Sequence, residues 1–445
     1  MERSAFDNLA AEAVAHHEAG RLEAAEAAYR AALAMSPGHS PRHIAIMHNL
    51  GVISATRGRH DAALAIFDEL IAREPAYVPA YYSRGLACQA LGRTLDAIKS
   101  FSRTCALEPG HYHAHRALGF LWLAEGERGR SLDHFARTYE LRRGEDRLDG
   151  DIPSLTCATR DKLVHDAEQF GFLAARARDG SRFEALARAY AAVAEGFSEQ
   201  PAKLSPAQLE RLGDDYNTAI HIADAPELPD RAVRERSDVE SLIRDFRQGA
   251  AGAVSFDDLL TPRALSELRR YLLESTIWHD FSHIGGFVAS YLEDGLACPL
   301  ILQIADQLRM TFPDLLAQHP LSQAWAFKGL RAGSAVDVHA DDAAISVNFW
   351  VTPTEANLDP GRGGLAVCRV PPPLDWEVRG YEADQKRIVA FLEQNRADSL
   401  IVPYRGNRAV LFESRLFHQS DQPNFELSYE NHRINMTFLF GRHGA

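Results

Sequence analysis

The chain has 445 residues, more than a typical single domain, which predicts two or three domains with substantial cores. Acidic residues outnumber basic ones by 61 to 48, so the formal net charge is −13, which argues against nucleic acid as a partner. The five cysteines are scattered and form no C-x-x-C pair, which favours reduced thiols in a cytoplasmic protein. We expect neither secretion nor membrane association, because no signal-peptide pattern and no long apolar span is found in the sequence.

A 34-residue period runs through the first third of the chain. Three kinds of position recur at this interval: a turn glycine (Gly58, Gly92, Gly126), a small helix residue (Gly51, Gly85, Gly119) and an aromatic residue (Phe67, Phe101, Phe135). Small residues allow the two helices of a hairpin to approach, and the aromatic residue packs against the next hairpin. An earlier unit around Gly20 and Tyr29 fits after a four-residue insertion.

In period and residue types, residues 5 to 143 resemble the tetratricopeptide repeat family. The resemblance implies an N-terminal α-solenoid, which we assign as a domain of residues 1–143. The concave groove of such an array binds a polypeptide, binds another domain of the same chain or mediates self-association. A homo-oligomer is therefore one expectation, and a polypeptide substrate or protein partner is another.

Residues 144–250 predict a helical connector without the repeat. The segments 159–177 and 183–197 carry apolar residues at three- and four-residue intervals, and Ser205 before Pro206 is a helix N-cap candidate. The small-residue run "RQGAAGAVSF" predicts a domain boundary near residue 250. His165, on the first of these helices, is expected on the polar surface.

Residues 251–445 change from helical to strand-like patterns. Segments 257–280 and 299–316 are amphipathic helices, and six short strand candidates then follow one another between residues 324 and 442. Short strands at such spacing predict a jelly-roll or cupin-like barrel with supporting helices. The predicted fold class is therefore multidomain α + β: an α-solenoid, a helical connector and a C-terminal barrel.

The segment "VHADDAAISVNFWVTP" places a histidine and two aspartates before one of these strands. Residues i and i+2 of a strand share a face, so His339 and Asp341 point together while Asp342 points elsewhere. A second histidine, His418, follows on a later strand candidate. Two histidines and a carboxylate on one face of an iron ion leave three coordination positions open.

An arginine follows these three residues on the last strand candidate. Arg433 lies on a polar face with Asn435 and Thr437, where a guanidinium can hold a dicarboxylate by two parallel hydrogen bonds. Asn348 faces the same way as Ser346; it either contacts co-substrate or substrate or makes a hydrogen bond at a strand end. Three other histidines lack ligand spacing and are expected to be polar loop residues: His279, His283 and His432.

The order His-x-Asp, distant His and trailing Arg resembles the Fe(II)- and 2-oxoglutarate-dependent oxygenases, over residues 251–445. The resemblance implies a double-stranded β-helix barrel, His339, Asp341 and His418 as Fe(II) ligands, and Arg433 as the partner of the 2-oxoglutarate C5 carboxylate. It also implies that O2 is consumed and that no catalytic residue beyond the metal ligands is required. Because halogenating relatives have a small residue in place of the carboxylate ligand, the presence of Asp341 implies hydroxylation or a related hydrogen abstraction.

Three functions remain open from the sequence. The first is a dioxygenase that hydroxylates a polypeptide recruited with help of the repeat array. The second is an oxygenase of a small molecule or glycan, with the repeats used for oligomerisation. The third is a non-catalytic repeat scaffold with a metal-binding barrel.

Overall fold

The computed structural model describes residues 5–35, 40–145, 147, 153–248, 252–282, 286–331, 333–373, 376 and 384–442. Two compact units divide the chain, residues 1–121 and residues 122–445. The domain boundary predicted near residue 250 lies outside the described residues.

Antiparallel helical hairpins build the N-terminal region. Its helices are α1 (Ala5–Glu18), α2 (Leu22–Met35), α3 (Pro41–Thr56), α4 (His60–Arg73), α5 (Val78–Ala90), α6 (Thr94–Leu107), α7 (Tyr112–Ala124) and α8 (Arg128–Arg143). Each helix from α2 to α6 packs against the helix before it. In addition α3 packs against α5, as expected when the first helices of successive hairpins line one face.

The repeat positions explain this packing. A Cβ atom at Gly51 would lie 2.5 Å from the Phe67 ring, and one at Gly85 would lie 2.6 Å from the Phe101 ring. Each aromatic ring therefore occupies the space that a side chain on the partner helix would fill. Phe67 and Phe101 are fully buried. The predicted close approach of the two helices of a hairpin is confirmed here, whereas the observed contact of each ring is with the small residue of its own hairpin and not with the next hairpin as predicted.

The second unit continues with further helices. They are α9 (Pro153–Thr156), α10 (Arg160–Ala174), α11 (Ser181–Ala194), α12 (Pro206–Leu212), α13 (Val239–Gln248), α14 (Pro262–Glu274), α15 (Pro299–Thr311), α16 (Pro313–Leu316) and α17 (Gln385–Gln394). Ser205 caps α12 as predicted, and Thr159 caps α10 in the same way. The two long helices predicted at 257–280 and 299–316 are shorter than expected, because Thr261 caps α14 and Pro313 interrupts the second segment.

Two antiparallel sheets and a short two-stranded ladder account for the strands. These are β1 (Cys157–Ala158), β2 (Ala202–Lys203), β3 (Ala253–Phe256), β4 (Phe287–Tyr291), β5 (Leu321–Gly329), β6 (Ile345–Trp350), β7 (Leu365–Cys368), β8 (Ser399–Val402), β9 (Ala409–Glu413), β10 (His418–Ser420) and β11 (Ile434–Phe440). The larger sheet has the order β3-β9-β6-β11-β5-β4, and the smaller has the order β10-β7-β8. The C-terminal region is thus rich in β-sheet, as predicted.

The two sheets share an apolar core but do not close on each other. Trp350, Val410 and Phe412 from the larger sheet pack with Leu365 and Val367 from the smaller one. In the described residues no strand ladder joins the sheets into the closed barrel that the sequence predicted. The connections between them, residues 351–364, 403–408, 414–417 and 421–433, consist mainly of bends, short turns and irregular backbone, so the chain changes sheet without a continuous ladder.

A buried ion pair fastens the last repeat helix to the rest of the second unit. Arg143, at the end of α8, donates from Nε and Nη2 to the two carboxylate oxygens of Asp294, both at 3.0 Å. Both side chains are almost completely buried. Arg143 Nη1 also donates to Ser154 Oγ at 3.0 Å and to the Asn217 carbonyl at 3.3 Å. Such a fully hydrogen-bonded pair is the arrangement in which two buried charges are tolerated.

Three histidines expected on polar surfaces or in polar loops are buried instead. His165, His279 and His432 are bonded to Asp166, Tyr139 and Glu168, respectively. His279 and His432 do lie in loops, but other segments of the chain cover those loops. Local sequence could not reveal this, because each partner except Asp166 is more than 100 residues away. His283 lies outside the described residues.

Candidate metal centre

The three predicted metal ligands converge in the structure. One ligand atom from each of His339, Asp341 and His418 lies within 4.8 Å of the others. His339 Nε2 is 3.7 Å from Asp341 Oδ1, and His418 Nε2 is 3.5 Å from Asp341 Oδ2. In the part of the chain that the structure describes, this is the one group of three such side chains close enough to hold a metal ion.

Main-chain pairing sets the positions of the three side chains. His339 and His418 exchange main-chain hydrogen bonds of 3.0 Å and 2.8 Å, which places the start of the His-x-Asp segment beside β10. Two residues after His339, Asp341 N donates to the Ser414 carbonyl at 2.9 Å, and this bond fixes the main chain of the aspartate. Because side chains alternate along an extended segment, His339 and Asp341 project to one side.

The hydrogen bonds of both rings leave their Nε2 atoms available. His339 Nδ1 bonds the Asp337 carbonyl at 2.8 Å, and His418 Nδ1 bonds the Leu416 carbonyl at 2.9 Å. A carbonyl only accepts, so each Nδ1 must carry the proton and each Nε2 presents a lone pair. Burial, and after it the neighbouring His339, lowers the pKa of His418 to about 4. His418 is therefore neutral near pH 7, as a metal ligand must be.

Two serines orient the carboxylate. Ser346 Oγ donates to Asp341 Oδ2 at 2.7 Å, and Ser346 and Ser414 are linked through their hydroxyls at 2.9 Å. Hydrogen bonds of this kind fix a ligating carboxylate and tune its affinity for metal. Asp342 is exposed and does not belong to the cluster.

The donor set fits a metal with open coordination positions. Two neutral imidazoles and one carboxylate are the ligands of non-haem Fe(II) sites, which leave room for co-substrate and O2. The His339 side chain is 22% exposed, whereas His418 and Asp341 are 5% and 3% exposed. The site is therefore reached from the His339 side.

Arg433 is a buried guanidinium without an anionic partner in the described residues. Nε donates to the Gly363 carbonyl at 2.8 Å, and Nη2 donates to the Gly364 carbonyl at 3.2 Å. These bonds use two of the five N–H groups of the side chain and leave three for a ligand. Burial lowers the pKa of Arg433 to about 10, which still leaves it charged at neutral pH.

Strand geometry relates this arginine to the metal centre. Gly364 immediately precedes β7, and Val367, three residues later, is paired with His418 on β10. Three residues of a strand span about 10 Å. A five-carbon dicarboxylate chelated at the metal can reach across a separation of this order.

Asn348 lies on the metal-facing side of β6, two residues beyond Ser346. Its Nδ2 donates to Thr437 Oγ1 at 3.2 Å, and Asn435 Nδ2 donates to the same oxygen at 3.3 Å. The Oδ1 atoms of Asn348 and Asn435 are buried and have no partner within the described residues. The structure therefore shows that Asn348 makes a cross-strand bond and also leaves one acceptor unused.

Sequence reasoning did not identify Ser414 or the aromatic residues of β4 and β5 as part of this region. Ser414 gives no local signal, because its role depends on a contact with Ser346, 68 residues away. A signal did exist on β5, where the large Trp325 and Phe327 alternate with the small Ala324 and Ala326. Such alternation indicates two faces with different surroundings.

Comparisons with known proteins identify the repeat in the N-terminal region. Residues 10–79 and 48–112 match the profile of the tetratricopeptide repeat. Among solved structures, a tetratricopeptide repeat protein from Parabacteroides merdae ATCC 43184 is 21% identical over 31% of this chain and 53% of that one, with a TM-score of 0.29. This chain thus spans about half of that protein. MamA, from residue 41 to its end, from Desulfovibrio magneticus RS-1 is 22% identical over 32% of this chain and 78% of that one, with a TM-score of 0.30.

The N-terminal region is thus a tetratricopeptide repeat array, as the 34-residue period predicted. A comparison with curated proteins returns no match. Among the described helices none is both long enough and apolar enough to cross a membrane.

Proposed function

We propose that residues 251–445 form an Fe(II)- and 2-oxoglutarate-dependent dioxygenase of the double-stranded β-helix class, which hydroxylates a polypeptide. The observation that carries this proposal is the pairing of two features on one side of the larger sheet. One is the His339, Asp341 and His418 cluster with both Nε2 atoms free. The other is the buried Arg433, which has no anionic partner among the described residues.

The electrostatics of Arg433 favour a bound anion. A buried charge without a partner costs several kcal/mol in a folded protein, and an anionic ligand removes most of that cost. The carbonyls of Gly363 and Gly364 orient the guanidinium but do not neutralise it. Arg433 would hold the C5 carboxylate of 2-oxoglutarate, while its other end would bind at the metal.

The roles of the remaining residues follow from their contacts. When bound, Fe(II) with 2-oxoglutarate and O2 supplies the oxidation of an otherwise unreactive C–H bond. His339, Asp341 and His418 would hold the metal, Ser346 would keep Asp341 oriented, and Asn348 would line the co-substrate or substrate space. None of these residues has to act as a protein acid or base.

The strand arrangement supports the proposed fold class. The smaller sheet, order β10-β7-β8, is extended at its β10 edge by the His339 bridge. Its apolar face packs on the larger sheet, with the metal ligands near one end of the shared core. Two facing antiparallel sheets with ligands from paired edge segments are the arrangement expected of a double-stranded β-helix.

The repeat array supports a polypeptide as the substrate. Positions His48, Tyr82 and Arg116 are 34 residues apart on α3, α5 and α7, and Val52, Leu86 and Phe120 repeat the same interval four residues later. Leu86 is 44% exposed, and Val14 on α1 is 39% exposed. A row of apolar, aromatic and polar side chains along the first helices of the hairpins suits an extended polypeptide. We place the protein in the cytoplasm, where its five unpaired cysteines would stay reduced.

Release of succinate tests the proposal. The purified full chain should convert 2-oxoglutarate to succinate slowly with Fe(II) and O2, and faster with lysate fractions that contain the substrate. The His339→Ala/His418→Ala double variant, tested in parallel, should remain at background. No iron-dependent succinate from the wild type with any fraction would favour the scaffold function, whereas stimulation only by protease-resistant metabolite fractions would favour a small-molecule substrate.

A further inference from the structure

An aromatic surface lies on one face of β4 and β5. On β5, Ala324, Ala326 and Lys328 are fully buried, whereas the alternating residues Trp325 and Phe327 remain partly exposed. The Trp325 and Phe327 rings are 6.0 Å apart with an interplanar angle of 25°. Opposite Trp325 on β4, the partly exposed Tyr291 ring is 6.4 Å away. We call Tyr291, Trp325 and Phe327 the aromatic wall.

The aromatic wall shares its face with the metal centre. Trp325 is paired with Thr437 on β11, and Thr437 is paired with Asn348 on β6. The side-chain bond from Asn348 to Thr437 shows that both point to the same side. Ser346, two residues before Asn348, points that way too and binds Asp341. The wall is therefore on the sheet face to which the metal ligands belong.

The position of the smaller sheet explains why these rings stay partly exposed. The core shared by the two sheets is built from β6 and β9 on one side and from β7 and β8 on the other. In the order β3-β9-β6-β11-β5-β4, strands β5 and β4 lie beyond that core. The aromatic wall thus continues the metal-facing surface past the edge of the core.

One carboxylate lies beside the metal centre, and another lies beside the aromatic wall. Asp337 is exposed two residues before His339, and its carbonyl accepts from His339 Nδ1 at 2.8 Å, so this residue lies at the open, His339 side of the metal centre. On the wall itself, Tyr291 OH donates to Asp280 Oδ2 at 3.1 Å. Arg433, the buried guanidinium near this face, is assigned to the co-substrate in the proposed function.

Unused hydrogen-bond acceptors lie in the neighbouring rows of the sheet. Asn348 is 5% exposed and Asn435 is 6% exposed, and neither Oδ1 has a partner among the described residues. Asn435 is paired with Phe327, so its acceptor borders the aromatic wall. 2-Oxoglutarate carries carboxylates and a ketone, which accept but do not donate. The acceptors therefore suit a different ligand, one that carries N–H groups.

We propose that the aromatic wall and Asp337 receive a cationic side chain, lysine or arginine, of the polypeptide substrate; this inference rests on the proposed dioxygenase function. Aromatic faces attract ammonium and guanidinium groups, and the apolar stem of either side chain packs on the rings. Asp337 adds charge attraction at the open, His339 side of the site. The asparagine oxygens accept from the donors of the cation or of the peptide main chain.

Fluorine NMR of the full chain tests this binding without turnover. The protein is labelled with 5-fluorotryptophan, loaded with redox-inert Zn(II) and 2-oxoglutarate, and the Trp325 resonance is assigned from its loss in Trp325→Phe. The probes are blocked pentapeptides Gly-Gly-X-Gly-Gly, in which X is lysine, arginine, norleucine or glutamate. The lysine and arginine peptides should shift the Trp325 resonance at concentrations about five- to thirtyfold lower than norleucine. Equal binding of norleucine, or tighter binding of glutamate, would overturn the inference.

Variants separate the wall from general surface charge. Trp325→Leu and Asp337→Asn should each reduce the preference for the lysine peptide over the norleucine peptide. Because Trp325→Leu removes the reporter, binding to that variant is followed by another tryptophan resonance that the peptide shifts. Asp398→Asn is the matched control, because this carboxylate is 76% exposed beside Arg369 at the end of β8. An unchanged preference in Asp337→Asn and Trp325→Leu would refute the assignment.

Two further measurements keep the inference separate from the function on which it rests. Anaerobic titration of Fe(II) protein with 2-oxoglutarate should succeed in the wild type, in Trp325→Leu and in Asp337→Asn. Failure in the wild type would contradict the proposed function, whereas normal titration without any cation preference would overturn only the inference. n-Butylammonium that binds as tightly as the lysine peptide would show that the occupant is a small amine rather than a polypeptide.

Discussion

His339 and His418 face each other across an antiparallel bridge, and their ring centroids are 4.2 Å apart. In each case Nδ1 bonds the carbonyl two residues earlier, Asp337 for the first ring and Leu416 for the second. The same local hydrogen bond therefore orients both rings, and it turns both Nε2 atoms toward Asp341. Two lone pairs and a carboxylate are held close together before any metal arrives, so little ordering is required on binding.

Loss of either histidine should abolish tight iron binding. We expect one Fe(II) per chain in the wild type and no high-affinity Fe(II) in His339→Ala or His418→Ala, because two ligands leave a much weaker site. Anaerobic equilibrium dialysis with iron analysis measures this directly. His221→Ala, which removes a histidine outside the cluster, should retain full stoichiometry. Unchanged iron content in both cluster variants would contradict the ligand assignment.

Ser346→Ala should weaken the metal site without removing a ligand. The substitution deletes the 2.7 Å bond to Asp341 Oδ2 and leaves that carboxylate less well oriented. Loss of such a supporting contact typically lowers metal affinity by about 10- to 100-fold. Competition with a calibrated chelator gives the affinity. Ser322→Ala is the control, since its hydroxyl donates to the Leu439 carbonyl at 3.0 Å and does not belong to the cluster, and its metal affinity should match the wild type.

Arg433→Ala should weaken 2-oxoglutarate binding and leave iron affinity nearly unchanged. Loss of a charge-assisted hydrogen bond costs roughly 1.5 to 3 kcal/mol, which corresponds to about a 10- to 150-fold weaker affinity. Arg433→Lys should recover part of the loss, because an ammonium cannot form two parallel bonds. Anaerobic titration of the Fe(II) protein, followed by its charge-transfer absorption, gives the dissociation constant.

Arg408 serves as the control for that experiment. Its guanidinium already binds Asp257, with Nε 2.6 Å from Oδ1. Arg408→Ala should therefore titrate like the wild type. If Arg433→Ala also does so, the buried guanidinium is structural and the co-substrate is held elsewhere.

Breaking the Arg143–Asp294 pair should strongly destabilise the second unit. Arg143→Ala leaves a buried carboxylate without its partner, which typically costs about 3 to 5 kcal/mol of unfolding free energy. Denaturant titration measures the change. Arg182→Ala should cost about 1 kcal/mol or less, because the Arg182–Asp215 pair is exposed. Equal effects of the two substitutions would contradict the role of the buried pair.

The same pair predicts a dependence of stability on acid. Burial alone would raise the pKa of Asp294, but the Arg143 guanidinium outweighs it and holds the pKa well below its usual range. The folded state therefore binds the Asp294 proton less readily than the unfolded state. The resulting stabilisation is complete above about pH 5 and is lost as pH falls through 4 and below. Asp294→Asn should flatten the unfolding free energy in this range, although its overall stability will be lower.

Lys328→Met should stabilise the protein at neutral pH. Lys328 is fully buried, its Nζ has no hydrogen-bond partner in the described structure, and burial lowers its pKa well below the usual range. The unfolded chain thus binds the proton more readily, so wild-type stability rises with pH up to about 10.4. Replacing the amine with an apolar side chain should add about 1 to 4 kcal/mol and flatten that rise.

The stability of Lys328→Met also depends on a contact with Tyr429, and Lys99→Met serves as the control. Lys328 Nζ lies 3.3 Å from the centroid of the Tyr429 ring, an attraction that partly offsets the burial. If Lys328→Met is less stable than the wild type, the ring contact outweighs the desolvation. Lys99→Met, at a side chain that is 76% exposed, should change stability by no more than about 0.5 kcal/mol.

Local patterns in the sequence were enough to determine the repeat array and most strands of the larger sheet. The residue types of Gly51 and Phe67 recur after 34 residues at Gly85 and Phe101. The glycine and the phenylalanine of each pair contact each other within one hairpin, so the local sequence is enough to predict their packing. The alternation in Ile345–Trp350 and Ile434–Phe440 similarly predicts strands, since side chains on a strand alternate between two faces. The sequence also named His339, Asp341 and His418, and the structure places the three together.

Only the tertiary structure decided which side chains are buried together. His165 and His279 are expected on polar segments, yet Trp278 and Tyr429 pack against the first ring and Tyr139 bonds the second, so distant parts of the chain bury both. One of the six strand candidates, residues 399–413, divides into β8 and β9, which belong to different sheets. Contacts between residues far apart in sequence also decide that the two sheets do not close into a barrel and that Trp325 stays partly exposed. The bond from Ser346 to Asp341 likewise depends on how the chain folds around the cluster. Local periodicity records which side of its own element a residue faces, but burial depends on what the rest of the chain places against that side.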